Sequence, residues 1–160
     1  MRGRPLKSNR TLIVVRHAHR DKEMGSAFDN GLSAKGRKQA LKAAKYFHST
    51  FPSLKDCLFL SSPKKRCLET LLPFVADDRG RIKELQCLSE GEPIDKKVDE
   101  FLKAFKNFRA QVVVACSHGD WIPAIMERIT GERVELKKGA WARFEGRADL
   151  LKLSEIIQKF

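Results

Sequence analysis

The sequence predicts an α/β fold, a three-layer α/β/α sandwich built on a mainly parallel sheet. Three observations lead there. Short apolar runs rich in β-branched residues, Leu12-Ile13-Val14-Val15 and Val112-Val113-Val114-Ala115, have the composition of strands buried on both faces. Stretches of helical periodicity separate the strands, so strand alternates with helix over most of the length. Both runs also break into clusters of reactive side chains, as strands of an open α/β sheet do where a ligand binds.

Composition sets the bounds. At 160 residues, 42% hydrophobic and 32% charged, the chain reads as one globular domain over 1–160 that needs no staples for its core. No apolar run approaches the ~20 residues that span a bilayer. The basic start Met1-Arg2-Gly3-Arg4-Pro5 passes into strand-like residues without a small-residue cleavage site, so a cytoplasmic protein without a secretory signal is expected. The four cysteines (Cys57, Cys67, Cys87, Cys116) show no C-x-x-C spacing, which excludes zinc-ribbon and thioredoxin readings. None is followed six positions later by Arg, which excludes the cysteine-phosphatase signature. They read as small buried residues in a reducing compartment.

The net charge of +12 favours acidic partners. Four of those charges (Arg2, Arg4, Lys7, Arg10) fall in an acid-free leader over 1–10, read as a frayed terminus. Others, such as Lys35, Arg37, Lys38, Lys42 and Lys45, punctuate a helix. No aromatic-interleaved patch accompanies them, so nucleic acid is not the expected partner.

In chain order, Thr11 to Val15 is the first strand and residues 21–31 a polar loop. Ser33 caps a helix running to about Ser49, with Ala40, Leu41, Ala44, Phe47 and His48 on one stripe. His48 is structural there. Cys57 to Ser61 is a second strand. A helix follows with Ser62 as N-cap and Pro63 at its first position, placing Arg66 in the first turn beside free backbone amides. Pro73 ends or kinks that helix. Arg81 to Leu85 is a weak strand, and Pro93 opens a helix with the stripe Ile94, Val98, Phe101, Leu102, Phe105, Phe108. Gln111 to Cys116 is a buried strand ending in Ser117-His118-Gly119-Asp120. A helix from Trp121 stops near Gly131. Ala140 to Glu145 and Leu150 to Leu153 form a hairpin around Gly146-Arg147.

If the strands ending at Val15, Ser61 and Cys116 are parallel, one sheet edge gathers Arg16, His17, Arg20, Arg66 and His118. Planar guanidinium groups pair bidentately with phosphoryl oxygens. A neutral imidazole is itself a nucleophile toward phosphorus, and neighbouring arginines disfavour its protonation. Phosphoryl transfer at such an edge requires no cofactor and no metal.

These residues match a family. Leu12 to Arg20 resembles the R-H-G signature of the histidine phosphatase superfamily, the phosphoglycerate-mutase-like proteins. Gly31-Leu32-Ser33-Ala34-Lys35-Gly36-Arg37-Lys38-Gln39-Ala40 resembles its L-[ST]-x-x-G-x-x-Q-A segment. Ser61-Ser62-Pro63-Lys64-Lys65-Arg66-Cys67-Leu68-Glu69-Thr70 resembles its S-S-P-x-x-R-[AC]-x-[EQ]-T segment, and Val113 to Gly119 its strand ending in S-H-G. The resemblance spans roughly 11 to 130. It implies a phosphohistidine intermediate on His17, phosphate binding by Arg16 and Arg66, and transition-state stabilisation by His118. It further implies that Arg20, Ser117 and Gly119 belong to the phosphate site and that Glu90, in Leu88-Ser89-Glu90, is the general acid. Glu92 and Asp21 are the nearby alternatives for that acid, and some small members have none.

Ala18 stands where the signature has Gly, as in the small SixA-type phosphohistidine phosphatases. Larger members insert a cap between the segments that carry Arg66 and His118, and no insertion of that size exists here. An open basic pocket then favours a phosphoprotein or another large acidic substrate over a small phosphometabolite or nucleotide. Two other readings compete. A metal-dependent phosphohydrolase would use His17, His19, His118 and an Asp such as Asp120, against the repulsion of the arginines. A non-catalytic basic binding module would not need the histidines. Natural substrate and oligomeric state are not legible.

Overall fold

The computed structural model describes residues 9–23, 25 and 27–160. The leader's Arg2, Arg4 and Lys7 lie outside the described residues. Six strands form one sheet: β1 (Arg10–Arg16), β2 (Cys57–Ser61), β3 (Ile82–Glu84), β4 (Val112–Ser117), β5 (Trp141–Arg147) and β6 (Leu150–Ile157). Their order is β3-β2-β4-β1-β5-β6. The pairs β1–β4, β2–β4 and β2–β3 are parallel, and β5 and β6 close the sheet antiparallel. Four helices cover it: α1 (Ala34–Thr50), α2 (Lys65–Leu71), α3 (Ile94–Asn107) and α4 (Trp121–Thr130).

Strand alternation makes the layers. Along β1, Leu12 and Val14 face a core built with Val98, Phe101, Phe105, Trp121 and Ile125 of α3 and α4. Ile13 and Val15 face the opposite core, with Ala43, Ala44 and Phe47 of α1 and Cys67 and Leu71 of α2. All four β1 side chains are completely buried. Burying each contributes about 1.5–3 kcal/mol, which makes β1 a stiff rod under its carboxyl end. Between α2 and β4 the chain forms only short 3-10 turns, β3 and α3, so no large cap exists.

Several local expectations are corrected. Arg10 is not part of a frayed leader. It opens β1, is buried, and donates from Nη1 to the Phe105 carbonyl (2.8 Å) and from Nη2 to that of Ala110 (3.2 Å), over the Phe105 ring. The planar fork thus satisfies carbonyls around the C-terminus of α3. Leu41 is 59% exposed, because the buried stripe of α1 runs through Gly36, Ala40, Ala43, Ala44 and Phe47. α2 begins at Lys65 rather than Pro63. Ser62 does not cap it: the cap position is Lys64, Ser62 Oγ engages His118 at 2.8 Å and accepts only distantly from Lys64 N (3.4 Å), and Asp29 Oδ1 accepts from Lys65 N at 2.9 Å. Pro73 does not stop the helix outright; the chain tightens into a 3-10 turn over Leu72–Val75. The hairpin turn is Ala148-Asp149, two residues beyond Gly146-Arg147, because Arg147 still pairs with Leu150. As expected, Ser33 caps α1 by accepting from Gly36 N, and Gly131 ends α4 in the left-handed region. His48 Nε2 donates to the Phe74 carbonyl at 2.7 Å, a structural role. Among the described residues, no helix is long and apolar enough to cross a membrane.

Candidate active site

Register places the chemistry. Arg16 pairs with Ser117 across β1–β4, and Ser61 pairs with Cys116 across β2–β4. Three parallel strands therefore end side by side, and His17, Arg66 and His118 meet just beyond them. Each is nearly enclosed, at 5%, 2% and 2% exposed. Glu90 at the rim is exposed, so the site has a buried floor and an open mouth.

His17 is held by its own backbone. Its Nδ1 lies 2.8 Å from the Ala18 carbonyl, an acceptor only, so the ring proton sits on Nδ1 and Nε2 keeps its lone pair. Burial depresses its pKa to about 3, with the His118, Arg66 and Arg16 charges adding to the fall and the Ala18 bond opposing it. The ring is neutral at pH 7. It meets His118 edge to face, with centroids 5.5 Å apart.

Arg66 donates from Nη2 to Glu90 Oε1 (2.6 Å) and approaches His118 Nδ1 (3.3 Å). Because a guanidinium only donates, that contact makes Nδ1 the acceptor and puts the His118 proton on Nε2, which donates to Ser62 Oγ (2.8 Å). Glu90 Oε2 lies 3.7 Å from His118 Nδ1. Burial works to raise the Glu90 carboxyl, but the Arg66 bond and the His118, Arg66 and Lys64 charges outweigh it and hold the pKa below the usual range. Arg16 donates from Nη1 to the Leu136 carbonyl at 2.8 Å. Two buried donors, Arg16 Nε and Arg66 Nε, have no acceptor among the described residues. Such donors are costly to leave unpaired, and an anion between the arginines would satisfy them.

The motif residues explain themselves as supports for the loop after β1. His19 N donates to Gln39 Oε1 (2.9 Å), Ala18 N to Thr70 Oγ1 (2.9 Å), and Leu32 N to Glu69 Oε1 (2.8 Å). Ser33 N donates to the His19 carbonyl at 3.0 Å. A Cβ on Gly36 would lie 2.0 Å from that same carbonyl, and one on Gly31 would strike the Glu69 carboxylate at 2.3 Å. Glycine at both positions lets α1 and Glu69 close onto the loop.

The remaining expected residues are placed differently. Gly119 supports Arg16: a Cβ there would sit 2.8 Å from Arg16 Nη2, so its bareness lets the guanidinium lie on the β4–α4 loop. Ser117 does not turn its hydroxyl to the pocket; it donates to the Leu88 carbonyl at 2.6 Å. Arg20 donates from Nη2 to the Phe28 carbonyl at 2.8 Å, which ties it to the loop over 21–31. His19 Nδ1 pairs with Ser33 Oγ at 2.7 Å, and Asp120 Oδ2 accepts from Gly91 N at 2.8 Å. Among the described residues, no group of three His, Cys, Asp or Glu could hold a metal ion.

Sequence reasoning missed three supports. Ser62 steadies His118. Asp120 and Lys97 together fix the Glu90 loop, Lys97 Nζ donating to the Glu90 and Gly91 carbonyls at 2.9 and 2.8 Å. Asp120, two positions after His118, was singled out only as a metal ligand in a competing reading, not as a support. Lys97 looked like any lysine on a helix face.

The family model for the histidine phosphatase superfamily (branch 1) matches residues 12–93, just over half of the chain. The chain belongs to the histidine phosphatase superfamily. Solved structures agree on the phosphoglycerate-mutase-like fold. The protein histidine phosphatase SixA complexed with tungstate superposes with a TM-score of 0.74 at 15% identity, covering 92% of this chain and 96% of that one. A phosphoserine phosphatase mutant from Entamoeba histolytica, in complex with phosphoserine, gives 0.71 at 16% identity, covering 91% and 95%. A mycobacterial glucosyl-3-phosphoglycerate phosphatase gives 0.69 at 18% identity, covering 95% and 100%. No curated protein matches the chain. As a superfamily member it is a phosphatase, an enzyme acting on a phosphorylated substrate.

Proposed function

We propose that the chain, acting as one domain over 1–160, hydrolyses a phosphate group through a covalent phosphohistidine on His17. The observation that carries this reading is a neutral, buried imidazole with its Nε2 lone pair available, beside two arginines whose Nε donors lack acceptors.

In the first half-reaction, Nε2 attacks phosphorus as the bond from phosphorus to the leaving group breaks. Arg16 and Arg66 hold the equatorial oxygens as charge redistributes, and His118, whose Nδ1 accepts from Arg66, positions that guanidinium beside the transferring group. Phosphate binding draws Arg66 away from Glu90, which raises the carboxyl's pKa so that Glu90 can carry and deliver a proton to the leaving group. In the second half-reaction, water attacks phosphorus in line, Glu90 takes its proton, and the P–N bond breaks. Orthophosphate leaves and His17 is neutral again.

Among substrates we favour a phosphohistidine protein or another large acidic molecule. Supporting this are the uncapped site, the exposed rim at Glu90 and the net charge of +12. The likeness to SixA in fold and size is consistent with it. A small-molecule or nucleotide phosphomonoesterase is the second reading, favoured by the enclosed floor of His17, Arg66 and His118. We also assign the protein to the cytoplasm, where a reducing environment suits its free cysteines, buried Cys67, Cys87 and Cys116 and half-buried Cys57. A turnover panel of phosphohistidine protein, phosphotyrosine peptide and sugar or nucleotide phosphates tests the substrate. The highest kcat/KM is expected for phosphohistidine protein, and a clear preference for a small phosphate ester would replace it with the second reading.

A further inference from the structure

Outside the candidate active site, a cavity of about 370 Å³ opens between α1, the residues before β5 and the segment after β6. Its wall carries five lysines, Lys35, Lys38, Lys42, Lys138 and Lys159, and no acidic side chain. Three of them recur at i, i+3 and i+7 along α1, where like charges on one helix face repel. Facing them across the cavity are two more cations rather than carboxylates.

Several cations elsewhere are compensated. Arg128 pairs with Asp99, Arg133 with Glu127, Arg143 with Glu145, Arg147 with Asp149 and Lys65 with Glu69. Among the described residues, none of the five cavity lysines has a carboxylate ion-pair partner. The wall is nonetheless firmly built: Gln158 accepts from Lys137 N at 2.7 Å and donates to the Glu135 carbonyl at 3.1 Å. The floor is the back of the loop after β1, since Gly139 N donates to the Arg16 and His17 carbonyls and Gln39 accepts from His19 N. Lys138 is partly buried and lies near cations both inside and outside the cavity. Burial, then the charges of Lys22, Arg16, Arg20 and Lys35, push its pKa below the usual lysine value.

We infer that this cavity is a second anion site, separate from the catalytic pocket, which binds a compact cluster of phosphate groups. Its volume falls in the range of small-molecule pockets. Convergent ammonium groups in a concave wall focus potential onto a multiply charged ligand, whereas one phosphate would engage only part of the ring. The cluster could come from a free polyphosphorylated molecule or from neighbouring phosphates on a phosphorylated protein. The chemistry recognised is the same, and the site does not depend on the catalytic reading.

Calorimetry with inorganic tripolyphosphate tests this, using wild type, Arg66→Ala and the triple variant Lys38→Gln/Lys42→Gln/Lys159→Gln. All three substituted lysines are exposed, so the fold should persist, and circular dichroism checks that it does. Arg66→Ala is expected to keep tripolyphosphate binding, and the triple variant to weaken it at least tenfold. Arginine at the same three positions should restore it. A peptide carrying three adjacent phosphoserines, titrated in parallel, separates the protein-borne source from the free one. Binding that is lost in Arg66→Ala and unchanged in the triple variant would overturn the proposal. So would an oligonucleotide of equal charge that binds as tightly with the same lysine dependence, since that ligand is extended rather than compact.

Discussion

At the scale of single residues, the account rests on how each group is held in the charge state it needs. Arg66→Ala removes a charge-assisted donor set from a buried position, so vanadate or orthophosphate inhibition should weaken by about 1.5–3 kcal/mol, roughly 10- to 150-fold. Unchanged inhibition constants would take Arg66 out of the pocket. Glu90→Gln should depend on the leaving group. Turnover of an alkyl phosphate falls by about 10²- to 10³-fold, while that of an aryl phosphate or phosphohistidine, whose leaving group needs less protonation, falls much less. Equal losses on all three would assign Glu90 to binding instead. His17 also links the site to stability. Its pKa is about 3 when folded and near 6.5 when unfolded, so the unfolded chain binds the extra proton in that window. Stability present above pH 6.5 is therefore lost as pH falls from 6.5 toward 3. Thermal melts across that range should show a smaller decline for His17→Asn than for wild type. Sequence reading singled out these three side chains, with His118, through the motifs around them. It could not supply the tautomers, because those depend on the Ala18 carbonyl and Ser62 lying where only the folded backbone puts them.

At the scale of elements, glycines of the motifs divide into two kinds, which substitution separates. A methyl at Gly119 meets the far end of a flexible Arg16, whereas one at Gly36 meets the fixed His19 carbonyl at 2.0 Å. Gly119→Ala should thus leave stability within about 1 kcal/mol of wild type yet weaken vanadate inhibition, because Arg16 must move. Gly36→Ala should cost about 1–3 kcal/mol or more, since α1 cannot close on the loop. Denaturant unfolding with inhibition assays on both variants checks the pair, and equal destabilisation would contradict it. Strands were the most legible elements, since an uninterrupted β-branched run has few alternatives. Helix starts were less so. Ser62-Pro63 is a good opening signal locally, but the Ser62 hydroxyl engages His118, and Asp29, from another loop, accepts from Lys65 N. Arg10 was misjudged for a related reason. Its partners, the carbonyls of Phe105 and Ala110, are some 95–100 positions away.

At the scale of the molecule, a rigid parallel sheet does the positioning, and one edge of it collects segments from four distant parts of the chain. Parallel pairing of β1, β4 and β2 could be anticipated from the alternation of strand and helix. The antiparallel pair β5–β6 was legible as a hairpin, its turn two residues off. The charge balance was read too coarsely: Lys35, Lys38 and Lys42, which punctuate α1 and are exposed, also line one wall of a cavity. The central claim is that phosphate passes through His17. Its most direct test is rapid quenching during turnover, at alkaline pH where phosphohistidine persists, followed by mass spectrometry of the protein. We expect one phosphate on His17 that forms and decays at rates compatible with kcat, and none in a His17→Ala variant that has lost turnover. Phosphate on another residue, or turnover that survives in His17→Ala, would contradict the account.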